Sequence, residues 1–197
     1  GWTGLNSDAG TDAVQDGGFE SPNVPVDITK TYRFSTWIKQ SKIRNSSAIT
    51  SSDAGTGYFG VETYTSATSI VRTAGAKGVS STAIANANSY FLPGFSCPTA
   101  DEWYLLVGFI RPDLSTNTNI HSNDLGLYNT SGEKVSFYNS NGSSTSVSTY
   151  EAATNHFEKK WTTDVSTTHV SLRNYMYYDL SADENPASWW GPRIELV

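Results

Sequence analysis

The run Thr31-Tyr32-Arg33-Phe34-Ser35-Thr36-Trp37-Ile38-Lys39 changes side with every residue. Tyr32, Phe34 and Ile38 fall on one face of an extended chain, and Arg33, Ser35, Trp37 and Lys39 on the other. A period of two in aromatic and β-branched residues marks a strand with one buried face. The pattern recurs along the chain. Gly57 to Tyr64 sets Phe59 and Val61 against Tyr58, Glu62 and Tyr64, and Thr168 to Tyr177 sets Val170, Leu172 and Met176 against His169, Ser171, Arg173, Tyr175 and Tyr177. Ser89 to Phe95 is a shorter strand candidate, Arg193 to Val197 closes the chain, and Trp103 to Arg111 is so continuously apolar that both of its faces should be covered. Leu125 to Tyr128 and Lys134 to Tyr138 flank Asn129-Thr130-Ser131-Gly132-Glu133, which reads as a hairpin connection with its glycine.

Helical periodicity is nearly absent. Ala74 to Ala87 has room for one helical turn, but Gly75, Gly78 and its Ser and Thr residues argue against a longer helix. Asn139 to Thr149 is mostly Ser, Thr, Asn and Gly and reads as a surface loop. The 197 residues suit one core, and neither a repeat nor a linker divides them. The expectation is therefore an all-β chain folded as a single domain over residues 1–197, a two-sheet antiparallel β-sandwich.

Composition narrows the function classes. Thirteen Lys and Arg against nineteen Asp and Glu give a net charge of −6, with no basic stripe of the kind that neutralises phosphates, so nucleic acid is not an expected partner. No run of about 20 apolar residues offers a membrane span. A single cysteine, Cys97, excludes an internal disulfide and reads as a buried small hydrophobe. His121, His156 and His169 lie far apart, without the spacing of a zinc site. The chain opens Gly1-Trp2-Thr3 with neither a basic nor an apolar leader region, so a targeting segment is expected to have been removed or to lie outside it.

Four segments carry a resemblance. Gly17-Gly18-Phe19-Glu20, Thr31 to Lys39, Glu102-Trp103-Tyr104 and the closing Gly191-Pro192-Arg193-Ile194-Glu195-Leu196-Val197 occur in the order seen in jelly-roll carbohydrate-binding modules. The chain resembles that group and, more loosely, laminin-G-like sandwiches. The resemblance implies a secreted module within a larger multidomain protein, monomeric and binding a polysaccharide or oligosaccharide. It also implies a structural Ca2+ joining first and last strands, at positions matching Glu20 and Glu195 with Asp16 nearby.

The residues themselves supply a sugar-binding chemistry. A pyranose presents apolar C–H faces and a belt of hydroxyls, so its site needs aromatic platforms beside planar polar groups. Arg33 and Trp37 face outward from one strand and Arg173, Tyr175 and Tyr177 from another, while Tyr58, Glu62 and Tyr64 extend the surface if the strands are neighbours. On one concave sheet face they would line a groove, with the arginines selecting an anionic glycan if the ligand is sulfated or uronic. The plain alternative is that Trp37 and the tyrosines only cover a sheet beneath a loop. Trp189 and Trp190 cannot point the same way in an extended chain, so one should be buried and the other exposed. Trp103 is expected in the core, and nothing in the pattern places Trp161.

Catalysis has weaker support. No Gly-x-Ser-x-Gly elbow or catalytic cysteine context is present, and no spacing singles out a carboxylate pair among Glu62, Glu151 and Glu158. The module is accordingly read as not an enzyme. Two alternatives stand beside it: a structural or adhesion module of a phage tail or surface protein, and a β-sandwich polysaccharide lyase using His169, Arg173 and Tyr177.

Overall fold

Alternation along the chain becomes two facing sheets. The structure is a computed structural model that describes residues 5–7, 17–41, 43, 56–66, 79–80, 90–112, 125–139, 144–145, 158–161, 167–177 and 187–197. In chain order the strands are β1 (Leu5–Ser7), β2 (Gly17–Glu20), β3 (Val24–Pro25), β4 (Tyr32–Gln40), β5 (Thr56–Tyr64), β6 (Val79–Ser80) and β7 (Tyr90–Phe95). They continue with β8 (Trp103–Arg111), β9 (Gly126–Tyr128), β10 (Phe137–Tyr138), β11 (Ser144–Thr145), β12 (Glu158–Trp161), β13 (His169–Tyr177) and β14 (Ala187–Leu196). Among the described residues there is no helix, and none long and apolar enough to cross a membrane.

The first sheet runs β1-β14-β4-β8-β12-β6, with β9 also paired to β8, and the second runs β2-β13-β5-β7, with β3 also paired to β13. β10 and β11 form a separate two-stranded ribbon, β10 within the strand expected over Lys134 to Tyr138 and β11 within the segment read from sequence as a loop. Among the described residues the pairing is antiparallel with one exception, β8 with β12, where Glu158 stands beside Phe109 in a parallel register. A parallel neighbour needs a long crossover connection, and the chain between Arg111 and Glu158 supplies one.

The buried face of each long strand is the apolar set of its alternation. From the first sheet Phe34, Ile38, Leu106, Ile110, Ala187 and Trp189 meet Phe59, Val61, Phe91, Leu92, Val170, Leu172 and Met176 from the second. Phe91 is the pivot. Its ring lies 5.5 Å from that of Phe34 and 5.2 Å from that of Phe59, and it presses on the backbone of Gly108, the register partner of Phe34. Cys97 is fully buried as expected, its thiol pKa pushed up by that burial. Trp161 is buried too, with Nε1 donating to the Lys30 carbonyl oxygen at 3.0 Å and its ring edge-on to Tyr32.

Two sequence expectations are corrected here. The last strand starts at Ala187 rather than Arg193, because a bulge between Trp190 and Arg193 absorbs Gly191-Pro192, the pair that otherwise reads as a strand breaker. Gly191 takes φ of +61°, a conformation open to glycine. Trp103 is not core: it pairs with Lys39 on the outer face of the first sheet, and Lys39 Nζ lies 5.5 Å from its ring centroid.

Candidate functional site

Outward residues of the first sheet line a cleft. Antiparallel register places Trp37 beside Leu105, Ser35 beside Val107 and Arg33 beside Phe109, while Tyr128 of β9 flanks Leu105 from the other side. Residues directly opposite in a sheet share a face, so the odd-numbered residues of β8 become a floor along its length. The cleft has a volume of about 580 Å³ and is lined by Arg33, Trp37, Leu105, Val107, Phe109 and Tyr128, with Asn129, Thr130, Gly132 and Val197 at its margin. That size lies within the range of small-ligand sites. Val107 and Phe109 are almost wholly excluded from solvent, whereas Trp37, Leu105, Tyr128 and Arg33 are half-buried.

The loop beside Tyr128 is held by local hydrogen bonds. Asn129 Oδ1 accepts the backbone N–H of Ser131 at 3.0 Å and of Glu133 at 2.9 Å, and Asn129 Nδ2 donates to Glu133 Oε2 at 2.9 Å. Gly132 closes the turn at φ of +79°, and Val135 N–H bonds the Leu127 carbonyl at 2.9 Å. The hairpin expected around Asn129 to Glu133 is therefore present, and it positions polar groups at an otherwise apolar cleft.

Arg33 carries the charge at the cleft. Its Nε donates to Glu195 Oε2 at 2.8 Å and its Nη2 reaches the same oxygen at 2.5 Å. Glu195 is the register partner of Arg33 across β14 and β4, so the sheet itself assembles the pair.

The other sequence-derived candidates belong to the outer face of the second sheet. Tyr58, Glu62 and Tyr64 on β5 lie opposite Tyr175, Ser171 and His169 on β13, and Arg173 lies opposite Gly60 and Glu20. Arg33 and Trp37 thus sit on the opposite side of the molecule from Tyr58, Tyr64 and Arg173, and the single groove expected from sequence does not form. The side chains of Tyr175 and Tyr177 lie outside the described residues, as does Asp16.

This second face holds a hydrogen-bonded network. Arg173 Nη1 donates to Glu62 Oε1, its guanidinium lies 5.9 Å from the Tyr90 ring centroid, and Tyr90 packs edge-on to Tyr58. The Tyr64 hydroxyl donates to Glu20 Oε1, with Glu62 Oε2 and Ser171 Oγ each 3.3 Å away, and Ser171 Oγ also donates to Glu20 Oε1 at 2.6 Å. The Tyr64 phenol thus lies between the Glu20 and Glu62 carboxylates, and Arg173 holds Glu62.

Burial and then the bond to Glu20 raise the Tyr64 pKa above its ordinary value of 10.0. A raised native pKa means that the folded state holds its proton after the unfolded state has lost it. Stability from this group is complete below pH 10 and is lost as pH climbs toward the native value. In alkaline denaturation series, Tyr64→Phe is therefore expected to show a shallower loss of stability above about pH 10 than the wild type. An equal slope in both proteins would remove Tyr64 as a source of that dependence.

The two described residues at which the resemblance implies a structural Ca2+ lie apart. Glu20 faces outward from the second sheet and bonds Tyr64 and Ser171, while Glu195 faces outward from the first and bonds Arg33. Two carboxylates on opposite outer faces cannot share one ion. Among the described residues no group of three or more His, Cys, Asp or Glu side chains is poised for a metal.

Arg33 and Trp37, expected from sequence in a groove shared with Arg173, Tyr175 and Tyr177, instead line this cleft with Leu105, Val107, Phe109, Tyr128 and the Asn129 loop, none of which the sequence pattern singles out as binding residues. The apolar outward face of β8 was the available signal, and only the pairing turned it into a floor between Trp37 and Tyr128. Compared with known proteins, the chain matches no family model, no curated protein and no solved structure.

Proposed function

We propose that this protein is a non-catalytic glycan-binding module that holds a stretch of polysaccharide in the cleft along β8. The observation that carries the reading is the cleft's composition: the rings of Trp37 and Tyr128 on either side of an apolar floor, with Arg33, Asn129 and Thr130 at its margin. Apolar sugar faces stack on such rings while their hydroxyls find planar hydrogen-bonding partners. From Leu105 to Phe109 the floor extends about 14 Å at strand rise, room for an extended oligosaccharide. A module of this kind acts outside the cell, where polysaccharides are met, as one part of a larger protein.

Affinity electrophoresis against neutral, uronic and sulfated polysaccharides tests the proposal. At least one class should retard the wild type, and Trp37→Ala should weaken that retention about 30-fold, the effect of truncating a buried aromatic anchor. The variant's melting temperature should stay within about 2 °C, since Trp37 lies outside the core between the sheets. Failure of every polymer to retard the wild type would overturn the glycan reading, and a concentration-dependent oligomer would then mark the cleft as a protein interface.

A further inference from the structure

We infer that the cleft selects neutral glycans over anionic ones, and that the Arg33–Glu195 pair reads two adjacent hydroxyls of the sugar. The inference rests on the glycan-binding reading and names its ligand class. Arg33 has the one charged side chain among the described lining residues, and an unpaired arginine there would favour a carboxylate or sulfate. It is not unpaired. Both Nε and Nη2 bond a single oxygen, Glu195 Oε2, leaving Nη1 and Glu195 Oε1 without hydrogen-bond partners among the described residues.

The side chains of the pair are 43% and 36% exposed, so both groups are open to a ligand, Arg33 from the lining of the cleft and Glu195 from just beyond it. What they offer is the remaining N–H groups of Arg33 and the lone pairs of Glu195 Oε1, with no net charge. A hydroxyl is itself both donor and acceptor, so one hydroxyl of a diol can accept from Arg33 Nη1 while its neighbour donates to Glu195 Oε1. A carboxylate or sulfate can only accept. Placed against Arg33 it also meets the field of the Glu195 carboxylate, and that repulsion offsets what the guanidinium returns, an offset that a neutral diol does not meet. The chain's net charge of −6 adds a weaker repulsion of the same sign.

Calorimetric titration with a neutral glucan oligosaccharide series and the same series oxidised to uronic acids tests this in the whole protein. The wild type should bind the neutral form at least tenfold more tightly, with an affinity that hardly changes between low and moderate salt. Glu195→Gln keeps the side chain's shape and removes its charge. It should shrink the preference for the neutral form to under threefold, by gaining affinity for the uronic form. Unchanged melting of this variant would show that the effect is not one of folding. Preference of the wild type for the uronic series, or an unaltered ratio in Glu195→Gln, would overturn the inference and leave the glycan reading standing. If neither series binds while another neutral polymer does, that polymer and its carboxylated derivative take their place. If no glycan binds at all, both the inference and the reading beneath it fall.

Discussion

Gly108→Ala is expected to destabilise the fold by about 3 kcal/mol, at the upper end of what one added methyl does in a packed core. A strand-interior glycine usually gains stability on becoming alanine, because the unfolded chain loses freedom and the strand gains a side chain. The sign reverses here for a steric reason. A Cβ at 108 would lie 2.4 Å from Phe91 Cγ and 2.6 Å from both Cδ atoms, far inside contact distance. The ring cannot swing aside, since Phe34 and Phe59 hold it from the first and second sheets. The change therefore has to push the sheets apart or drive Phe91 off its rotamer. For a chain of this length the melting temperature should fall by roughly 6 to 12 °C. Phe91→Leu in the same background should recover part of the loss, which an additive pair would not. A melting temperature at or above that of the wild type would show that the intersheet gap is wider than the Phe91 contact requires.

Arg173→Met should cost about 2 kcal/mol while leaving glycan retention as it is. Glu62 is only 9% exposed, and removing its guanidinium partner leaves a carboxylate largely out of water beside Tyr64 and Glu20. Partial exposure of Arg173, 30% for the side chain, keeps the figure below that of a fully buried pair. Glu62→Gln in the same chain should restore at least about half of the loss, a coupling that urea denaturation of the four proteins in the cycle would measure. Additivity of the two changes would mean that the ion pair contributes no net coupling. Loss of retention in Arg173→Met at unchanged stability would bring the second face back as a binding surface, against its placement across the molecule from Trp37.

These expectations differ from what the strand pattern alone suggests, and the difference has one origin. Which face a side chain takes is local. The two-residue period separated Phe34 and Ile38 from Arg33 and Trp37, and Val170 and Leu172 from His169 and Arg173, and each set lies where the alternation put it. Locality also covers Trp189, which is 1% exposed, against Trp190 at 50%, and the Asn129 to Glu133 hairpin, whose turn chemistry lies within a few residues.

Pairing is not local. Many strand orders bury the same apolar faces with similar gain, so nothing within Thr31 to Lys39 says that its neighbours are β8 and β14 rather than β13. The tertiary structure decided that Arg33 meets Glu195 and Arg173 meets Glu62 on opposite outer faces, and that Glu20 and Glu195 never meet. It decided, too, that β8 runs between Trp37 and Tyr128 and so turns an apolar strand face into the floor of a cleft. The sequence by itself determined a two-sheet sandwich and the side of β4, β5 and β13 that faces water, because backbone period and apolar burial act within one strand. The site waited for the tertiary structure, because it is built from long-range register, which no single strand carries.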